Sequence, residues 1–218
     1  FGLLSVLSHA RIDELVAEEE ATGRVIGMAA RQRMLSQRIT LLSNRLVNGP
    51  PAERGRVRSE LQSAINLMTA SHEALVGGSE VQGVPGLRTE HMRDIYFDGS
   101  ESLESLLQHF LSSARAVASW QSGQALMGPQ LDPELQEKLS YLNTVGAGRL
   151  LERLDGAVAG FEEDGREAIK NIRAWNRVVQ ATIVGSVIIV GLFVFLPISQ
   201  RLRLQWAEVR RARNEEDR

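Results

Sequence analysis

Arginine is the residue in this sequence best placed to do chemistry with a small ligand. Its guanidinium is planar, permanently charged and geometrically matched to trigonal oxygens. Five arginines, Arg24, Arg31, Arg33, Arg38 and Arg45, fall between Ala21 and Ala52, a stretch without Asp or Glu. Four of them, Arg24, Arg31, Arg38 and Arg45, repeat every seven residues beside an apolar stripe. They read as a basic edge that covers the core and pairs with acids on a neighbouring helix. Arg33 is out of step with them by two residues, about 200° around a helix. It shares a mixed face with Ile26, Ala30, Met34, Gln37 and Leu41. A helix with two usable faces can serve its own core on one side and a partner on the other. If that partner is a second copy across a twofold axis, two Arg33 side chains approach, which is unfavourable for like charges alone. A small planar oxyanion between them would reverse the sign. Periodicity alone leaves a solvated surface arginine equally open.

Other constellations are absent from the sequence. His9, His72, His91 and His109 are scattered, with no pair at metal-ligand spacing, so no metal site is expected. There is no Gly-rich phosphate loop, nucleophile elbow or kinase signature, so neither a cofactor nor an enzyme is expected in this segment. A net charge of −2 gives no reason to expect a nucleic-acid partner. The acidic stretch "FEEDGRE" (161–167) reads as a solvated face, with salt bridges to the basic edge as the alternative.

Those arginines need helices to hold them. Val25, Met28, Leu35, Ile39, Leu42 and Leu46, with Gln32 filling one slot, form a heptad-like stripe in a helix from about Leu3 to Val47. "NGPP" (48–51) ends it. A second helix, about Ala52 to Val76, carries Val57, Leu61, Ile65, Met68, His72 and Leu75 inward and stops at Gly77–Gly78. The connection that follows holds one short helix, "TEHMRDIYF". Ser100 is the expected cap of a third helix, about Glu101 to Ser122, and "GPQLDP" is the next break. Asp132 as N-cap with Pro133 behind it opens a fourth helix. With no proline between Pro133 and Pro197, that helix is expected to run unbroken. Its glycines, Gly146, Gly148, Gly156, Gly160 and Gly165, read as points of close packing, the alternative being a compliant element. The expected fold is all-α, an antiparallel up-down-up-down four-helix bundle with long first and fourth helices.

From Val178 to Ile198 there is no charged residue. At about 1.5 Å per residue such a helix matches a hydrocarbon core of roughly 30 Å. "FGLLSVL" (1–7) reads as the end of a truncated earlier membrane helix. The expected organisation is 1–9 membrane-helix end, 10–176 sensor bundle, 177–198 transmembrane helix and 199–218 linker helix. Trp175 is placed as an interfacial anchor. Arginines past the span lean towards a cytoplasmic C-terminus.

"AARQRMLSQRI" (29–39) resembles the signature segment of the PilJ/NarX-type extracytoplasmic sensor domains, usually written AGRQRMLSQR in the pilus-type chemoreceptor branch. Residues 92–117, residues 150–176 and the exit "FLPISQR" are similar to later parts of such receptors. The resemblance implies a periplasmic four-helix bundle of a bacterial inner-membrane receptor, a homodimer formed through the first helix, and a nitrate- or nitrite-class anion at the dimer interface. By position in the motif, Arg33 is similar to the anion-contacting arginine, with Ala30, Met34 and Gln37 lining the site. Ala30 departs from the family's usual glycine, and its methyl would crowd the ligand or the helix crossing. "RRARNEEDR" is similar to linkers leading into histidine kinases; a chemoreceptor or diguanylate cyclase output is the alternative. The rival from another class is a membrane-tethered protein-interaction module with no small ligand.

Overall fold

The computed structural model describes the backbone of residues 2–120 and 132–216, and side chains of residues 16–120, 132–170, 175 and 177–193. Among the described residues six α-helices and one 3-10 turn account for the regular structure. They are α1 (Gly2–Asn48), the turn Pro51–Glu53, α2 (Arg54–Gly77), α3 (Glu90–Phe97), α4 (Leu103–Ser119), α5 (Pro133–Gly146) and α6 (Arg149–Glu216).

Each boundary has a local cause. Gly49 donates its N–H to the Arg45 carbonyl at 2.9 Å, closing α1 before Pro50 and Pro51 prevent its continuation. At the end of α2 the chain turns through Gly78, whose φ of +86° suits glycine. A side chain there would also meet the Pro85 backbone at 3.2 Å. The loop then closes on itself through Ser79 and Val84, which exchange backbone hydrogen bonds of 2.7 and 2.9 Å. Thr89 caps α3 by accepting from the Met92 N–H at 3.2 Å. Asp132 Oδ1 caps α5 by accepting from the Glu134 N–H at 3.1 Å, with Pro133 at the first helical position, as the sequence indicates.

Two boundaries differ from the sequence reading. The cap of α4 is Ser102, not Ser100: its hydroxyl accepts from the Ser105 N–H at 3.2 Å. Gly99, at φ +85°, carries the chain past Ser100 before helical geometry begins. The expected single fourth helix is broken into α5 and α6 at Ala147–Gly148. Gly148 donates to the Val145 carbonyl in a tight turn of 3.3 Å. Gly146 and Gly148 flank that turn, each weakening a helix by about 1 kcal/mol against Ala. Absence of proline was therefore not enough to keep the helix whole. The residues 121–131, including most of "GPQLDP", lie outside the described residues.

The core forms where the periodic stripes meet. Val25, Leu35, Ile39, Leu42 and Leu46 of α1 are buried with Val57, Leu61, Ile65, Met68 and Leu75 of α2. Leu103, Leu107, Phe110 and Leu111 of α4 join them, as do Leu135 and Leu142 of α5 and Leu150, Leu154 and Phe161 of α6. Met28 is half-buried at the edge of this core. The last helices run antiparallel to α1. Asn44 meets Asn143, Thr40 lies against Gly146, Arg33 meets Asp155 and Thr22 lies against Gly165, so each step forward on α1 is a step back along α5 and α6. The glycines along this line differ. An added Cβ at Gly146 would lie 2.5 Å from Thr40 Oγ1, at Gly160 2.6 Å from Ile95 Cδ1, and at Gly165 2.7 Å from Thr22 Cγ2. Close packing explains those three. Gly156 has nothing within 4 Å, so close packing does not explain it.

The chain divides into two compact units, Phe1–Arg166 and Glu167–Arg218. In the second, all of the described large apolar side chains from Val178 to Phe193 are exposed, Phe193 to 80%. Among the described residues no helix is long and apolar enough to cross a membrane. The uncharged run continues to Ile198, and its side chains beyond Phe193 lie outside the described residues, as do those of Phe1–Leu7, Pro197 and Trp206. Trp175 is exposed to 61%.

Candidate functional site

The surface of α1 opposite the core carries candidate site residues from the sequence. Gly23, Gly27, Ala30, Met34, Gln37 and Leu41 are all exposed and follow one another in alternating steps of four and three. That spacing makes one seam along a helix. It is opposite the stripe of Val25, Gln32, Leu35, Ile39 and Leu46, half a turn away. Met34 is 54% and Leu41 66% exposed, large for apolar side chains in the middle of a helix whose other face is fully buried. An added Cβ at Gly23 or Gly27 would meet nothing within 4 Å, so the upper seam is both small and open. Arg31 and Arg38 stand on one flank of the seam, and Arg33 on the other.

The structure reverses the expected pairing of the arginines. Arg33, read from the sequence as lacking any nearby acid, holds an ion pair to α6: its Nε lies 3.1 Å from Asp155 Oδ1. Arg31 and Arg38, read as pairing with a neighbouring helix, have no ion-pair partner among the described residues. The other two of that series are engaged. Arg24 reaches Glu20 on its own helix at 3.3 Å and donates to the Gly83 carbonyl at 3.3 Å. Arg45 pairs with Glu53 at 2.7 Å. Among the described residues the acidic stretch near 161–167 supplies no ion-pair partner for α1 either. Glu162 and Glu163 bind Arg166 of the same helix, and Asp164 accepts from the Thr89 hydroxyl at 2.5 Å.

Asp155 was missed in the sequence because nothing local distinguishes it. It follows "LLERL" as one acid among several, and only the antiparallel alignment of α1 with α6 brings it to Arg33. The alignment was implicit in the expected topology, but the register was not. Ala30, Met34 and Gln37 are placed together on the exposed seam within two turns of Arg33.

Segment 15–132 matches the model of the PilJ family, described as the type IV pili methyl-accepting chemotaxis transducer N-terminal domain. The match covers more than half of the chain. The chain belongs to this family. It is thus a PilJ-type sensor domain, of the class that receives signals for chemotaxis transducers. No curated protein and no solved structure matches it.

Two further features of this PilJ-type domain lie away from the seam. His72, buried on α2, makes a 2.5 Å hydrogen bond from Nε2 to Glu104 of α4 and stacks on Tyr96 of α3 with ring centroids 6.0 Å apart. Burial, with a smaller contribution from the Glu104 charge, raises the Tyr96 hydroxyl above its ordinary pKa. A groove of about 400 Å³ is lined by Ile95, Glu101, Leu106, Arg149, Glu152, Arg153 and Gly156. Its charges are satisfied in part internally, since Arg149 pairs with Glu101. No residue of α1 lines it, so it is separate from the seam.

Proposed function

We propose that this chain is the sensing and membrane-crossing portion of a bacterial receptor that dimerises through α1 and binds a small oxyanion of the nitrate or nitrite class. On this reading α1, α2, α3 with α4, and α5 with α6 are the four columns of a bundle. Its localisation is the inner membrane, with the bundle in the periplasm and the C-terminus in the cytoplasm. The exposed apolar surface from Val178 to Phe193 and the uncharged run to Ile198 support a membrane span there.

The observation that carries the ligand is the charge on the flanks of the α1 seam. The seam has the heptad spacing and small residues of a helix-pairing surface. Its flanks carry Arg31, Arg33 and Arg38, and no acid occurs between Ala21 and Ala52. Two copies meeting along this seam gather positive charge from both sides without acids from either first helix. Repulsion opposes such a dimer, and an oxyanion between the two Arg33 side chains relieves it. Ala30, Met34 and Gln37 then line the anion. Ligand binding draws the two α1 helices together, α1 shifts relative to α6, and α6 passes the displacement to an output module. Signalling requires the two states to bind the anion differently, since tight binding alone shifts no equilibrium. The family description favours a chemoreceptor output; a histidine kinase is the second reading, resting on the charged linker.

The test uses the full chain in detergent micelles. Nitrate and nitrite are expected to give saturable heats in calorimetry and to shift sedimentation towards the dimer, and Arg33→Ala to abolish both. Absence of heat with either anion, or an Arg33→Ala protein that behaves as the parent does, supports the rival instead, a protein-interaction module that tolerates Lys or Gln at this position.

A further inference from the structure

We infer that Asp155 is the resident counter-ion of Arg33. It holds the guanidinium on α6 of the same subunit when no anion is bound, and the anion must displace it. This rests on the anion-binding reading above and assigns that site a built-in competitor.

Three observations carry the inference. First, of the five arginines between Ala21 and Ala52, Arg33 is the one with a carboxylate partner on α6 among the described residues; the ion pairs of Arg24 and Arg45 stay on α1 or the turn that follows it. The Arg33–Asp155 pair therefore bridges the two helices whose relative displacement would carry the signal. Second, the pair is exposed. The Arg33 side chain is 54% and the Asp155 side chain 48% accessible. Exposed ion pairs contribute little, so a ligand can compete with this one. Third, the pair meets through Nε and Oδ1 at 3.1 Å. A planar oxyanion can engage two guanidinium donors at once, and such bidentate contacts are the stronger class. The exchange therefore favours the anion without requiring a buried site.

The exchange also supplies the differential binding that signalling needs. With Asp155 engaged, Arg33 ties α1 to α6. With the anion engaged, Arg33 turns towards the seam and that tie is gone. The anion-bound state and the α1–α6 link then exclude one another, so binding at the seam biases the position of α6.

The test compares Asp155→Asn with the parent, using nitrate as the probe in calorimetry on the full chain in detergent micelles. Glu152→Gln, which removes an equal charge from the neighbouring turn without touching Arg33, is the control. Asp155→Asn is expected to tighten nitrate binding roughly two- to fivefold, the ratio an exposed ion pair is worth. Glu152→Gln should change it by less than about 1.5-fold, since exposed charges without a direct contact are screened. If the parent binds nitrate and Arg33→Ala does not, yet Asp155→Asn binds no tighter than Glu152→Gln, the counter-ion role is overturned while the anion site stands. If neither the parent nor Asp155→Asn binds nitrate, both fall.

Discussion

One substitution, glycine to alanine, should have opposite effects at two places ten residues apart. In a helix, alanine is favoured over glycine by about 1 kcal/mol because glycine loses more backbone freedom on folding. Gly156 lies on exposed helix with nothing within 4 Å of an added Cβ, so that preference acts alone. Gly156→Ala is expected to stabilise by up to about 1 kcal/mol. At Gly146 the added Cβ lies 2.5 Å from Thr40 Oγ1 and 2.6 Å from Phe110 Cε2. Neither neighbour yields easily. The Thr40 hydroxyl is held by the Ser36 carbonyl at 3.0 Å and the Leu142 carbonyl at 3.3 Å, and Phe110 is fully buried. Overpacking of this kind costs about 1–3 kcal/mol. Set against the helix preference of about 1 kcal/mol, Gly146→Ala should destabilise by up to about 2 kcal/mol. Gly160 falls between them, because its neighbours are the mobile ends of Ile95 and Met92. Thermal unfolding of the full chain, followed by circular dichroism in detergent micelles, reads the order. For a chain of this size about 2–4 °C accompanies each kcal/mol, so the two variants, which differ by the overpacking cost of about 1–3 kcal/mol, should separate by roughly 2–12 °C. Equal shifts in the same direction would refute the assignment of Gly146 to a close helix approach.

Two further predictions concern buried polar groups. Gln32 is fully buried on α1, and among the described residues neither polar atom of its amide has a hydrogen-bond partner. Gln32→Met keeps the shape and removes an unpaired amide, so it should stabilise by about 1–3 kcal/mol and raise the melting temperature; a fall would mean that the amide is satisfied in solution. Tyr96 has a pKa raised by burial above that of an unfolded tyrosine. The folded state therefore disfavours its ionised form: its contribution is intact below about pH 10 and is lost as pH rises above that value. Urea unfolding should show stability declining above about pH 10 with a shallower decline in Tyr96→Phe, and identical slopes would place the alkaline sensitivity elsewhere.

The helices were legible because burial writes itself as periodicity. Val57, Leu61, Ile65, Met68, His72 and Leu75 were spaced for one face of α2, and all six are buried there. The Asp132–Pro133 start of α5 was legible because capping is local chemistry. The break at Ala147–Gly148 was not, because Gly146 and Gly148 weaken a helix without dictating a stop, and the turn that Gly148 closes onto the Val145 carbonyl is what ends it. For the same reason the cap fell at Ser102 and not at Ser100: both are serines before an apolar run, and the turn at Gly99 chooses between them. The arginines show the limit most clearly. Helical phase correctly separated Arg33 from Arg31 and Arg38, since phase depends on spacing alone. Which of them would find a carboxylate depended on the register between α1 and α6, which spacing within α1 does not contain.

The contacts of α1 differ on its two sides in a way that bears on motion. Along α2, α1 packs through large aliphatic side chains, Leu35, Ile39, Leu42 and Leu46, near Val57, Leu61, Ile65 and Met68. Interdigitated side chains at interior density resist shear, because any slide opens voids. Towards α5 and α6, α1 uses short and polar contacts. Thr22 lies against Gly165, Arg33 pairs with Asp155, Thr40 donates to the Leu142 carbonyl, and Asn44 and Asn143 exchange amide hydrogen bonds of 2.5 and 3.2 Å. Asn44, Asn143, Arg33 and Asp155 stand where water can replace a lost partner, so breaking their contacts costs little net free energy. A force applied to α1 at its exposed seam therefore meets its larger resistance on the α2 side. On the proposed reading α1 and α2 move together, and the displacement falls on the junction with α5 and α6. On that reading Arg33 sits at the junction with the exposed seam on one side and Asp155 on the other, the placement a coupling residue requires.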